Sequence, residues 1–147
     1  MPAASQLVMF RTASPLDRPR LRSFAAALRR QVAGGRPFCC LITNDVELRR
    51  LNRNFLGKDY PTDVLSFPSG LTEGSLGDLA ISEDRAREQA AEQGHSIHEE
   101  ISVLMLHGLL HLKGMDHASD RGRMHRAEFA WRKQLQLPAG LIERAMR

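Results

Sequence analysis

Apolar residues recur along this chain at two spacings, helical and strand-like, and polar or glycine-containing breaks separate the runs. Residues 5–11 alternate weakly and predict a first strand. Leu21, Phe24, Ala25, Leu28 and Val32 fall at helical spacing, so a helix is expected over 20–33, with Pro19 suited to its first position and Gly34-Gly35 at its end. Phe38 to Thr43 is a short apolar run between turn signals and reads as a buried strand. Asn44, with Glu47 three residues later, opens a second helix that continues to about Phe55. A loop over 57–62 leads to a strand at 64–67, a further loop at 68–77 and a strand at 78–81. Ser82 caps a charged helix over 83–93 that stops at Gly94. Ser96 and Glu99 form a capping box for the next helix. There Ile101, Val103, Leu104, Met105, Leu106, Leu109, Leu110 and Leu112 leave almost no polar face, which marks a buried helix. Ser119 is expected to cap a helix from about 120 to 136, and Pro138-Ala139-Gly140 sets off a short final helix. The order β-α-β-α-β-β-α-α-α predicts an α+β fold: a small mixed four-stranded sheet packed with five to six helices around a buried central helix. An α/β design in three layers fits the same order.

The chain has 147 residues, enough for one domain spanning 1–147 with a sizeable core. No repeat, low-complexity tract or linker interrupts it, and no secretory signal is visible, so a cytoplasmic protein is expected. The buried helix is short for a membrane span and is preceded by Glu99 and Glu100, so no membrane association is expected. Cys39 and Cys40 are adjacent, and neighbours on a strand point to opposite faces, so they suit neither a shared metal nor each other. They read as two buried, reduced thiols. The net charge is +4, and arginine supplies 18 of the 21 basic residues. Arginine forks match phosphate bidentately, which is compatible with RNA. One Trp and one Tyr argue against an extensive base-stacking platform, so affinity for nucleic acid would come mainly from phosphates.

The chemistry concentrates in the buried helix and the turn after it. His107, His111 and His117 lie within eleven residues. A four-residue spacing puts the first two on one helix face, one turn apart. Gly114 permits the left-handed turn that ends the helix and returns His117 toward them. Three neutral imidazoles with one open position describe a catalytic zinc site, one Zn2+ per chain, in which a bound water ionises near neutral pH. The buried central helix is thus expected to be the metal-binding helix. Asp116 either orients a ligand imidazole or shapes the turn beside Gly114. His125 is expected at the surface, and His95 and His98 are expected to be solvated.

The skeleton H-x-x-x-H-x-x-G-x-x-H is shared with the metzincin proteases, which carry a glutamate base directly after the first histidine. Gly108 stands there in this chain, so a peptidase of that design is disfavoured. The full string H-G-L-L-H-L-K-G-M-D-H, residues 107–117, resembles the signature of the YbeY family of rRNA maturation factors. Residues 51–68, L-N-R-N-F-L-G-K-D-Y-P-T-D-V-L-S-F-P, are similar to that family's second motif, and Gly77-Asp78-Leu79-Ala80-Ile81 to its G-D-I-x-I strand. The one departure is Leu56, where the family generally has an arginine that can grip phosphate.

The resemblance implies the same fold and a single-strand-specific, zinc-dependent endoribonuclease acting in 16S rRNA 3′-end maturation and ribosome quality control. It implies single-stranded rRNA, the small ribosomal subunit and its assembly factors as partners, and no DNA. Arg49, Arg50, Arg53, Lys58, Thr62 and Ser66, in or beside the second motif, are expected to contact substrate, with RNA lying across the metal. No residue of the motif stands as general base. Leu56 keeps open a catalytically weak, zinc-stabilised assembly factor binding RNA or ribosomal protein, and a metal-dependent hydrolase of another substrate is a third reading.

Overall fold

Parallel strands need a crossover between them, and the first half of the chain supplies one. Strand β1 (Val8–Phe10) leads through helix α1 (Arg18–Gln31) to strand β2 (Cys39–Thr43). Helix α2 (Asp45–Leu56) follows, then a hairpin of β3 (Val64–Pro68) and β4 (Gly77–Ser82). Helices α3 (Glu83–Gln93), α4 (Ile97–Leu112), α5 (Arg123–Gln134) and α6 (Leu141–Ala145) complete the chain. This is a computed structural model that describes residues 7–60, 62–68 and 74–146. The fold is α+β: a four-stranded mixed sheet with six helices, strand order β1-β2-β4-β3. β1, β2 and β4 are parallel, and β3 lies antiparallel on the edge. Pro68 is tolerated in β3 because an edge strand has one unpaired side.

The strand alternation sorts the two faces. Val8, Cys40, Leu79 and Ser66 share one cross-sheet row, and the row beside it is Met9, Leu41, Ala80 and Leu65. The first face packs against α1 and α4 in one large core with Leu21, Ala25, Leu28, Leu104 and Met105. The second face packs Leu65, Ala80 and Phe67 against Leu48 and Leu51 of α2. So α2 lies on the side of the sheet opposite to α4. It packs mainly on β3 and β4, which leaves Met9 exposed and Cys39 exposed instead of buried as expected. Cys40 points the other way into the core, where burial pushes its thiol pKa up.

Local capping signals decide the helix starts. Asn44 accepts from Glu47 N, Ser82 from Arg85 N, and Ser96 and Glu99 complete the capping box of α4. Ser119 does not cap α5, which begins at Arg123, later than expected. The Asp120 carboxylate bonds Met124 N of its first turn, and Ser119 Oγ donates to Asp116. The first strand is shorter than expected, Val8–Phe10, and residues 5 and 6 of that expectation lie outside the described residues. So do Pro61 and residues 69–73 of the two loops.

Two histidines expected in solvent are engaged instead. Asp17 N donates to His98 Nε2 at 2.9 Å. His95 Nε2 lies 2.6 Å from Glu100, which is fully buried and also takes two bonds from Arg144, at 2.9 and 2.7 Å. That pairing fastens α6 to the start of α4 and so fixes one wall of the cleft described below. No helix among the described residues is long and apolar enough to cross a membrane.

Candidate metal centre

Helix α4 is held rigidly, with 12 of its 16 residues buried, and His107 and His111 lie one turn apart near its end. The helix closes in a Schellman turn: Met115 N bonds Leu110 O at 3.2 Å and Gly114 N bonds His111 O at 2.9 Å. That turn requires a left-handed residue, and Gly114 supplies it at φ 90°. The chain then doubles back to place His117 against the other two. The ring centroids are 4.8 Å apart for His107 and His111, 5.9 Å for His107 and His117, and 5.8 Å for His111 and His117. One nitrogen from each of the three lies within 4.8 Å of the other two.

The other ring nitrogens of His107 and His111 are spoken for. His107 Nδ1 is 2.7 Å from Glu128 Oε2, a carboxylate of α5 that is 1% exposed. His111 Nδ1 is 2.9 Å from the Met115 carbonyl, which only accepts, so this Nδ1 carries the proton. In neutral rings both lone pairs then sit on Nε2, and the two Nε2 atoms are 3.2 Å apart. Facing lone pairs repel unless a proton or a cation stands between them. Two nitrogens bound tetrahedrally at about 2.0–2.1 Å would be separated by roughly 3.3–3.4 Å, close to what is seen, and His117 offers a third donor. The donor set fits a metal ion.

The electrostatics favour the ligating form. Burial first, and then the neighbouring His107, push the His111 pKa below its ordinary 6.5. Neutral imidazole, the form that binds metal, is thereby kept to lower pH. The sign follows by linkage. Below 6.5 the unfolded chain takes up a proton that folded His111 resists, so stability without metal falls as the pH drops through that value. Melting curves of chelated protein on either side of 6.5 are expected to show this, with a shallower dependence for His111→Gln.

Glu128 meets His107 and the Met115 carbonyl meets His111, and Asp116 is engaged in the turn. Its oxygens accept from Ala118 N at 3.1 Å and Ser119 Oγ at 3.2 Å, and these bonds hold its pKa below the usual carboxylate value. Glu128 escaped the sequence reading because it lies 21 residues from His107 and meets it only through the packing of α5 on α4. Its second oxygen accepts from Ile142 N at 3.0 Å, which ties α6 to the same carboxylate. His107 and His117 face a cleft of about 490 Å³ lined also by His125, Leu141, Ile142 and Met146, among others.

Comparison with known proteins identifies the family. A family model described as endoribonuclease YbeY matches residues 24–136. The chain belongs to the YbeY family. Endoribonuclease YbeY of Solibacter usitatus (strain Ellin6076) is 59% identical over 143 residues, covering 97% of this chain and 96% of that protein. The protein of the same name from Koribacter versatilis (strain Ellin345) is 54% identical over 104 residues, covering 71% and 68%. The solution structure of TM1509 from Thermotoga maritima has a similar fold, with TM-score 0.57 and 25% identity over 84% of this chain and 86% of that one.

The second motif shared with the YbeY family is divided by the sheet. Ser66 is on the α4 side, but its hydroxyl donates to Gly108 O at 3.1 Å and so fastens the metal helix to β3 instead of reaching into the cleft. Arg49, Arg50 and Arg53 are on α2, across the sheet from α4, and are not brought to the histidines. Arg49 is paired with Asp59 and Arg50 with Glu47, each at 2.9 Å. Lys58 is exposed beyond the end of α2, and Thr62 Oγ1 contacts Asp63 at 3.4 Å. Helical and strand spacing could not reveal this separation, because it depends on which face of the sheet α2 takes. Leu56 ends α2 and is exposed.

Gly108 is explained by packing. A Cβ there would stand 2.7 Å from Leu79 Cδ2, 3.2 Å from Val64 Cγ2 and 3.3 Å from Ser66 Oγ. A glutamate at this position has no room to act as a protease-like base. Gly108→Ala is expected to destabilise by about 1–3 kcal/mol through overpacking, and Gly108→Glu by more, without gain of peptidase activity. Thermal melts and a casein digestion assay check both, and a stable, proteolytic Gly108→Glu would overturn this reading.

Proposed function

We propose that this chain is a zinc-dependent endoribonuclease that cuts single-stranded rRNA. Its place is the cytoplasm, in 16S rRNA 3′-end maturation and ribosome quality control, with the small ribosomal subunit and its assembly factors as partners. His107, His111 and His117 are the metal ligands, in one domain spanning 1–147. The observation that carries the reading is the 3.2 Å Nε2–Nε2 approach beside a third imidazole, in a chain 59% identical to an endoribonuclease YbeY.

When bound, zinc supplies Lewis acidity toward a phosphoryl oxygen and lowers the pKa of water at the open position. The protein's own residues prepare the site for it. Glu128 and the Met115 carbonyl hold protons on the Nδ1 atoms and aim the Nε2 lone pairs at one point. The Schellman turn and the Asp116 contacts fix His117 relative to α4. Glu128 is committed through both oxygens, to His107 and to Ile142 N, and so is not a free base. The buried body of α4 closes the back of the site to water and leaves the cleft as the approach for a phosphodiester.

Leu56, in place of the family's arginine, favours a second reading: a catalytically weak, zinc-stabilised assembly factor that binds RNA or ribosomal protein. Metal-loaded protein is expected to cut a single-stranded RNA and to spare the same sequence in a duplex. Tight RNA binding with no cleavage, in both the native chain and Leu56→Arg, would replace the enzyme reading with the second one.

A further inference from the structure

The cleft before the histidines continues past them along α5. His125 and Met146 line it and also line an adjoining pocket with Arg126, Phe129 and Glu143. Phe129 is 40% exposed, a large apolar ring presented to solvent beside the site. The Lys133 ammonium lies 4.5 Å and the Arg132 guanidinium 5.3 Å from its centroid. Glu143 occupies Arg132 through two bonds of 2.8 and 2.9 Å. Among the described residues no ion pair engages Arg126 or Lys133. Arg126 donates to the Arg121 carbonyl at 3.3 Å. On α2, Arg49 and Arg50 are neutralised by carboxylates, and that helix, with Arg53, lies on the far face of the sheet. The basic surface continuous with the metal cleft is therefore that of α5.

We propose that α5 carries a subsite for the nucleotide flanking the scissile phosphate of single-stranded RNA. The base stacks on Phe129, with His125 at the boundary to the metal cleft, and Arg126 and Lys133 meet the adjoining phosphates. An exposed ring with the uncompensated Lys133 over it and Arg126 in the same pocket suits a nucleotide better than an apolar ligand, because a base offers a π-face and its phosphate a charge. The subsite rests on the endoribonuclease reading above, and it assigns the substrate contacts to α5 instead of α2.

The test uses metal-loaded protein and a mixed-sequence 2′-O-methyl oligonucleotide, with binding read by anisotropy across a salt series. Phe129→Ala is expected to weaken binding about five- to 150-fold, the range of one lost base stack, and Phe129→Trp to retain it. Arg126→Ala combined with Lys133→Ala is expected to flatten the slope of log affinity against log salt by about 1.4, at roughly 0.7 per phosphate contact. Metal content stays unchanged in every variant. Removing the base at the stacked position of the oligonucleotide is expected to erase the difference between native protein and Phe129→Ala. If native protein cuts single-stranded RNA while Phe129→Ala and the double variant bind as it does at every salt concentration, the subsite is refuted and the nuclease reading stands. If native protein neither binds nor cuts single-stranded RNA, the functional reading fails and takes the subsite with it.

Discussion

His111→Ala is expected to lose its metal and, with it, RNA cleavage. His111 is one of three imidazoles whose donor nitrogens lie within 4.8 Å of one another, and its lone pair faces that of His107 at 3.2 Å. Removing it leaves two donors where a catalytic zinc needs three from the protein. Loss of an outer-shell partner typically costs about 10–100-fold in metal affinity, so loss of a ligand is expected to exceed roughly 100-fold. Cleavage should fall to the level of chelated native protein. The side chain is only half-buried, so the fold is expected to survive the change. Elemental analysis and an RNA cleavage assay on parallel preparations check this. Metal content equal to the native protein would remove His111 from the site.

A second large effect is expected from a residue that touches no metal. Gly140→Ala would put a Cβ 2.5 Å from the Glu128 carboxyl carbon and 2.8 Å from its Cγ. The carboxylate must move, yet it is held between His107 Nδ1 at 2.7 Å and Ile142 N at 3.0 Å. Breaking these bonds in a buried setting costs about 1–3 kcal/mol for stranded polar groups, with a further ~1–3 kcal/mol for overpacking. Because Glu128 orients His107, metal affinity should also fall about 10–100-fold. Glu128→Gln keeps the shape and removes the charge, so it separates the electrostatic part from the steric part. Melting curves and zinc competition against a chelator measure the two effects. A Gly140→Ala protein with native zinc affinity would mean that Glu128 does not orient His107.

The metal-ligand candidates were legible in the sequence because their geometry is local. A helical turn sets His107 against His111, and a glycine turn of three residues returns the chain to His117. The helix starts at Asn44, Ser82 and Ser96 were legible for the same reason, since each cap is satisfied within three residues. Tertiary placements were not. Glu128 and Gly140 carry no local mark of their meeting. The exposure of Cys39 depends on α2 covering only half of its face of the sheet. The arginines of the second motif looked close to the metal because they are close in sequence to β3, but α2 crosses to the other face. Ser119 resembled a cap, but the turn holding His117 continues through it, and Asp120 reaches the helix instead.

The most direct test of the account is a zinc titration of chelated protein, read by cleavage of a single-stranded RNA. Activity is expected to be absent after chelation, to rise with added zinc and to level off at one equivalent per chain, the stoichiometry of a single three-histidine site. Cleavage that persists unchanged through chelation, or that added zinc does not restore to the chelated protein, would contradict it.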